Sequence, residues 1–263
     1  MRKYWAILET QLLNRLAYPA DLIGHGLTIV IYLWVFIFLW RTTYRAMGAS
    51  DGSIAGLTLN QTIWYLMLAE TLMLSKPRIA RLIAASVKDG SVAYILNKPY
   101  NFILYHFTMG LGDSLTNMVF NLLAGGALVW LMQSPPPPVW GWPFVLVTMI
   151  LGWLIDFCFA ALIGLAAFVT EEVSAFDWIY QKILFILGGM LIPLDFLPGW
   201  LRSISLASPF AYTIYGPARL FVEPGLERFT TLLLGQLIWV AFLGAAVTAL
   251  YRRGMQWLAI NGG

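Results

Sequence analysis

Charge is scarce in this 263-residue chain: 11% of its residues are charged, against about 25% in an ordinary soluble domain. Cysteine is scarcer still. The single one, Cys158, excludes an intrachain disulfide, and its place in an apolar run reads as core packing. There are two histidines, His25 and His106, on different apolar segments. No His-Glu-x-x-His pair accompanies them, so no resident metal is expected. No Gly-x-x-x-x-Gly-Lys-Ser/Thr loop occurs, which removes that device for holding ATP. A net charge of +3 is too small for a nucleic-acid surface.

What is abundant is apolar surface. Hydrophobic residues make up 60% and aromatics 15%, and the mean hydropathy is +0.75. That excludes a soluble globular domain and a disordered chain, and it predicts an all-α integral membrane protein. Six apolar segments stand at about 22–40, 57–75, 102–131, 142–168, 175–192 and 229–250, each near the roughly 20 residues a crossing needs. The third is long enough to tilt or protrude. No cleavable leader is expected, because the first apolar run begins only near Leu22 and is long enough to stay as an anchor.

Within 1–20, residues 4–16 place Trp5, Leu8, Leu12 and Leu16 at helical spacing, with Glu9 and Arg15 off that face, until Tyr18-Pro19 ends the pattern. Such a helix suits the membrane interface. Basic residues then set the orientation. With the N-terminus in the cytoplasm, ten of the 16 Lys and Arg fall inside and five outside, and Lys182 lies within a span. Both termini are predicted cytoplasmic. The two longest gaps, 76–101 inside and 193–228 outside, are each shorter than the roughly 50 residues of a soluble domain. One membrane domain over 1–263 is therefore predicted. The outer gap alternates apolar pieces with Pro193, Pro198, Pro209 and Pro217. It reads as a re-entrant or interfacial helical hairpin, since broken backbone needs cover at membrane depth.

The inner gap carries a helix-compatible stretch from Arg78 to Val87, with Ile79, Leu82, Ile83 and Val87 on one face. Lys88-Asp89-Gly90 makes a stop, and Ser91 to Leu96, with Tyr94, offers a second short helix. A helix pair of this kind can dock into a partner's groove. The other reading is a basic loop resting on anionic lipid.

Ionisable groups inside the spans are costly, and they mark function or structural pairing. They are Glu70, Asp113, Asp156 and Lys182. Asp113 belongs to a polar stripe with His106, Asn117 and Asn121. Glu70, Asp113 and Lys182 share a depth, so Lys182 is expected to pair with one of these carboxylates. Trp34 and Phe38 are one turn apart and suit stacking on a flat or cationic compound. Lipid-facing aromatics are the alternative. Gly110-Leu111-Gly112-Asp113 matches the Gly-x-Gly-Asp signature of intramembrane aspartyl proteases, with Asp156 as a second aspartate. The order of the two is reversed, however, and the Pro-Ala-Leu element of those enzymes is missing. Gly125-Gly126 and Gly188-Gly189 read as close helix packing.

Four stretches carry a resemblance: Lys3-Tyr4-Trp5 through Tyr18-Pro19 to Leu39-Trp40-Arg41; Val87 to Pro99; Ile192 to Pro198 with Ser208-Pro209-Phe210 and Pro217-Ala218-Arg219; and Tyr251-Arg252-Arg253-Gly254 to Gly263. In these the chain resembles permease subunits of type-2 ABC transporters, and more narrowly those of viologen/daunorubicin-type export systems. The resemblance implies a non-catalytic subunit of an exporter in a prokaryotic inner membrane, moving amphipathic or cationic small molecules. Two permeases, identical or homologous, would join two ATPase subunits that hold ATP and magnesium. It implies an ATPase-coupling helix in 76–101, with Arg81, Lys88, Asp89, Gly90, Ser91 and Tyr94 at the contact. It also implies a pathway between the permeases, to which Trp34, Phe38, Glu70 and Lys182 are assigned. Asp113, Asn117, Asn121 and Asp156 are assigned a structural role. A non-transporting membrane scaffold is the competing reading.

Overall fold

A computed structural model describes residues 2–48, 52–92, 100–170 and 172–261. Tyr94, and with it most of the expected second short helix, lies outside the described residues. Ten α-helices, four short 3-10 helices and one small hairpin stand among the described residues. Four stretches are long and apolar enough to cross a membrane: Pro19–Ala46, Phe102–Met132, Val139–Phe168 and Leu226–Gln256. The other two expected crossings form shorter helices.

Helix α1 (Arg2–Leu16) lies against α5 (Phe102–Met132). The approach is possible because residue 112 is glycine: a Cβ there would stand 3.0 Å from the Gln11 Cβ. Leu8 and Gln11 meet Gly112, Trp5 and Leu16 point outward, and Gln11 and Arg15 turn to a carboxylate on α5. The outward apolar residues are free to meet lipid, as an interfacial helix needs.

Helix α2 (Pro19–Ala46) starts with proline at its first position, where no N–H is needed. Leu22, Ile29, Leu33, Ile37, Trp40 and Tyr44 form its buried edge. A two-residue hairpin, β1 (Ser53–Ile54) with β2 (Leu57–Thr58), follows. It turns on Ala55 and Gly56, both at positive φ. Thr58 then caps α3 (Leu59–Leu74) in a reciprocal capping box with Gln61. Residues Thr62 to Leu72 of α3 are buried without a break, enclosed by α2, α5 and α9 (Tyr215–Val222). A helix apolar on all sides belongs at the centre of a bundle.

Helix α4 (Ile79–Lys88) packs on α6 (Trp142–Leu165). Its contact residues are Ile79, Ala80, Ile83 and Ala84, all buried. Leu82, expected on the packed face, is 39% exposed. Gly164 sets the distance: a Cβ there would come within 2.7 Å of the Ile83 Cβ and 2.9 Å of the Ala80 carbonyl. Helix α7 (Ser174–Ile186) stops well short of residue 192. Gly188-Gly189 follows that end, and Gly189 also serves the close packing expected of the pair, since a Cβ there would stand 2.7 Å from the Tyr65 hydroxyl and 3.1 Å from the Tyr215 Cβ. Gly189 has φ +72, which disfavours any side chain. The freed carbonyls find new donors: the Tyr215 N–H reaches Gly188 at 3.0 Å and the Tyr65 hydroxyl reaches Gly189 at 2.6 Å. Gly125 likewise sits at a helix contact, where a Cβ would be 2.9 Å from Leu33 Cδ1.

Two helices fill the outer gap, α8 (Gly199–Ala207) and α9. Ser205 alone of α8 is buried, whereas α9 is buried from Pro217 to Val222. The last helix, α10 (Leu226–Asn261), lies along α6. Gln236, in its first third, donates to the Thr148 and Tyr212 carbonyls at 2.8 and 2.9 Å.

Gly164→Val should destabilise the chain by about 1–3 kcal/mol, the usual range for overpacking, since the Ala80 backbone cannot yield. Thermal unfolding in a neutral detergent measures this, and Gly126→Val, with open space at residue 126, should unfold nearly as the unaltered chain does.

Candidate functional site

Polar groups converge in three places: near the C-terminal end of α3, on the face of α4, and around α9. The first is a set of buried ion pairs. Lys76, just past the end of α3, places Nζ 2.5 Å from the Asp156 carboxylate on α6. The Tyr180 hydroxyl on α7 donates to the same oxygen at 2.7 Å. One carboxylate thus ties three helices together. Asp113 on α5 accepts from Arg15 Nε at 2.7 Å and Gln11 Nε2 at 2.8 Å, and Arg15 also reaches Asp21 at 2.6 Å.

His106, Asp113, Asn117 and Asn121 are all buried along α5. The middle of this stripe faces the C-terminus of α3. Ser114 donates to the Ser75 carbonyl at 2.8 Å, Asn121 donates to the Ser75 hydroxyl at 3.1 Å, and Trp153 Nε1 donates to the Ser114 hydroxyl at 2.7 Å. These bonds satisfy groups that a helix end leaves open.

Lys182 pairs with none of the expected carboxylates. Asp113 and Asp156 are taken by Arg15 and Lys76. Glu70 is 1% exposed, with its Oε2 unpartnered. Lys182 itself is exposed, with Nζ 5.2 Å from the Trp178 ring centre and 4.7 Å from that of Phe185. The error came from matching depth along the chain without knowing which way each residue faced. A protease dyad is not assembled either, because Asp113 and Asp156 are each engaged by a different cation on a different element. Trp34 and Phe38 stack edge to face, ring centres 4.9 Å apart, and both are about half exposed.

On α4 the outward side carries Arg78, Arg81, Leu82, Ala85 and Lys88. Arg81 is 3.5 Å from Asp177 at the start of α7. At the far end, Asp89 accepts from the Ser91 N–H at 2.8 Å, which lowers the Asp89 pKa below the ordinary carboxylate value. Gly90 takes φ +73. Lys88-Asp89-Gly90-Ser91 is thus a tight, self-satisfied stop that leaves the lysine exposed. Glu172, just before α7, has its pKa lowered by hydrogen bonds from Ser174 and then by the charge of Lys88.

The third cluster is in the stretch 193–228. Asp195 lies 3.1 Å from Arg202 and 3.2 Å from Arg219, and the Tyr215 hydroxyl donates to it at 3.2 Å. Glu223 bridges Arg219 at 2.6 Å and Arg228 at 2.7 Å. The network borders a cavity of about 810 Å³ whose apolar side includes Leu206, Tyr212 and Leu232. The Arg41 guanidinium separately caps the end of α5, bonding the Met132 carbonyl and Gln133.

Residues 20–262 match the family profile described as ABC-2 family transporter protein. The chain belongs to that family. It is therefore a multi-pass membrane protein and the membrane component of an ABC transporter, a permease that works with an ABC ATPase. No curated protein matches it.

In this ABC-2 permease, Arg15, Lys76, Asp177 and Asp195 are site residues that sequence pattern does not mark as such. The one local signal for Lys76 is its position directly before Pro77, where the chain has not yet left the bundle. Lys76→Ala should destabilise the permease by about 3–5 kcal/mol, the usual loss when one partner of a buried pair is removed. Adding Asp156→Asn should recover part of that loss. Unfolding midpoints in neutral detergent decide it, and a double variant no better than Lys76→Ala would show that the pair is not what matters.

Proposed function

We propose that this permease forms the membrane half of an ATP-driven exporter, joined by a second identical or homologous permease and two ATPase subunits. In this reading α3 and α7 complete six crossings. The N-terminal helix α1 lies in the inner interface, and both termini face the cytoplasm of a prokaryotic cell. The stretch 193–228 dips back into the outer leaflet, and α4 is the coupling helix. The observation that carries the proposal is the two-sided character of α4. Its buried side is locked onto α6 at Gly164 and its other side presents Arg81, Leu82 and Lys88. A short helix fixed from behind and open in front suits a groove on a partner.

The Arg81–Asp177 pair gives the proposed coupling helix a second handle. Helix α7 belongs to the proposed pathway along with α2, so movement of α4 reaches the pathway through a side-chain contact as well as through α6. The substrate reading is amphipathic small molecules. A cationic substrate is supported by Trp34 and Phe38, whose rings are about half exposed, while Glu70 is enclosed.

The test is a tagged pull-down from cells carrying the native operon. An ATP-hydrolysing subunit of about 30–40 kDa, one ATPase domain with a small extension, should co-purify with the permease. Leu82→Asp with Lys88→Glu, both on the exposed side, should release it and leave the permease folded. Retention of the ATPase by that variant would remove α4 as the contact. A permease that purifies alone and folded would favour the scaffold reading.

A further inference from the structure

The cavity beside α9 is walled by three helices. Helix α8 contributes Arg202 and Leu206, α9 contributes Gly216 and Arg219, and α10 contributes Arg228 and Leu232. Its volume of about 810 Å³ is of the size that takes a drug-sized molecule, about 300–1,000 Å³. Behind it the elements are in close contact. Gly216 admits the Leu232 side chain, and Gly235 admits the ring of Tyr212, each into space that a Cβ would occupy. No residue of α2 or α7 lines the cavity, so it lies apart from the pathway proposed above.

The charges on its wall form a continuous row. Arg219 is buried and takes two carboxylates, Asp195 at 3.2 Å and Glu223 at 2.6 Å. Each carboxylate is shared with a second arginine, Asp195 with Arg202 at 3.1 Å and Glu223 with Arg228 at 2.7 Å. The row thus begins and ends with arginine, and three guanidiniums against two carboxylates leave one positive charge. Exposure strengthens that sign. The Asp195 side chain is 7% exposed and also accepts from the Tyr215 hydroxyl, which closes it to a ligand. The end arginines Arg202 and Arg228 are open, with side chains 45% and 39% exposed. Glu223 has one oxygen, Oε2, engaged by both Arg219 and Arg228. One further charge lies on the wall. Glu227 stands outside the row, with no arginine or lysine nitrogen within 4.0 Å among the described residues. It belongs to the first turn of α10, where the helix N-terminus itself favours a carboxylate.

We infer that this cavity is a binding site for a water-soluble organic anion of drug size. Its acidic group would be taken by the end arginines, whose planar guanidiniums suit an oxyanion. Its aromatic or aliphatic body would lie against Leu206, Tyr212 and Leu232. The half-exposed charges at the rim belong in water, so the mouth admits a solute and not a lipid chain. The site goes beyond the exporter reading and does not depend on it.

The full-length permease in phosphatidylcholine nanodiscs is dialysed to equilibrium against naphthalene-2-sulfonate, naphthalene-2-sulfonamide and 2-naphthylmethylammonium, with empty nanodiscs subtracted. The three probes share one body and differ in charge. The sulfonate should bind about tenfold more tightly than either of the others, the size of one charge-assisted hydrogen bond. Arg228→Gln should remove about that factor. Gly225→Trp should block binding with every charge left in place, because residue 225 lines the cavity and a Cβ there meets nothing within 4 Å. Glu227→Gln should tighten binding of the sulfonate about twofold by removing a like charge from the mouth.

Equal binding of the sulfonamide overturns the inference, and so does preference for the ammonium. Both are read on the unaltered chain and stand even if no variant purifies. Sulfonate binding that survives Gly225→Trp or Arg228→Gln places the anion elsewhere and overturns it too. Weaker sulfonate binding in Glu227→Gln does the same, since the carboxylate would then be assisting the ligand. No ATPase enters these measurements, so loss of the exporter reading would leave them intact.

Discussion

A carboxylate at membrane depth has to take its counter-charge from the protein, because the bilayer supplies none. In this ABC-2 permease that constraint is met by Lys76 and Asp156, and the architecture turns on the pair. Lys76 ends the central helix α3, Asp156 lies inside α6, and Tyr180 brings in α7. The attraction of such a pair largely offsets its desolvation, so its net contribution to stability is small. Its value is positional. With either partner absent the other is a buried bare charge, and any arrangement of α3, α6 and α7 that separates them is strongly disfavoured. Arg15 and Asp113 do the same for α1, which has no buried residue of its own to hold it against α5.

Glycine complements these charges by deciding how near helices come. Gly112 admits α1, Gly125 admits Leu33 of α2, and Gly164 admits α4. Helices in lipid gain no hydrophobic driving force from one another, so van der Waals contact at small residues carries their association. Gly189 does two things: past the end of α7 it takes a positive φ, and its missing Cβ admits Tyr65 and Tyr215. Its carbonyl and that of Gly188 are captured by Tyr65 and Tyr215, as unwound backbone inside a membrane protein requires.

The class of the fold was legible from apolar run lengths, since crossing a bilayer is mainly a matter of length and composition. The break at Tyr18-Pro19, the stop at Lys88-Asp89-Gly90 and the polar stripe of α5 were legible because proline, glycine and helical spacing act locally. Partner choice was not. Asp113 pairs with a residue 98 positions away and Asp156 with one 80 positions away, and periodicity cannot rank such distant candidates. Lys182 was assigned a carboxylate by depth alone, but azimuth around α7 points it outward. Apolar spacing on α1 names the face that avoids water, and at a membrane interface both lipid and protein satisfy that need, so it does not say which residues pack on α5.

Helix α4 shows why placement matters to mechanism. In the proposed exporter, a force applied to its outward side is transmitted by what lies behind it. Ile83 against Gly164 and the Ala80 carbonyl form a contact with no slack, so α4 and α6 must move together. Arg81 and Asp177 form a longer contact at 3.5 Å, through an arginine side chain that is 55% exposed. An exposed pair of that length is weak and adjustable. The rigid contact therefore leads to α6, and α6 is itself tied to α7 by the buried Tyr180–Asp156 bond. A push on α4 would displace the α4–α6 unit as a body and carry α7 with it through Tyr180, with the Arg81–Asp177 pair free to adjust. That order of stiffness follows from one glycine and one carboxylate, and it gives the proposed motion a route that the helix count alone does not.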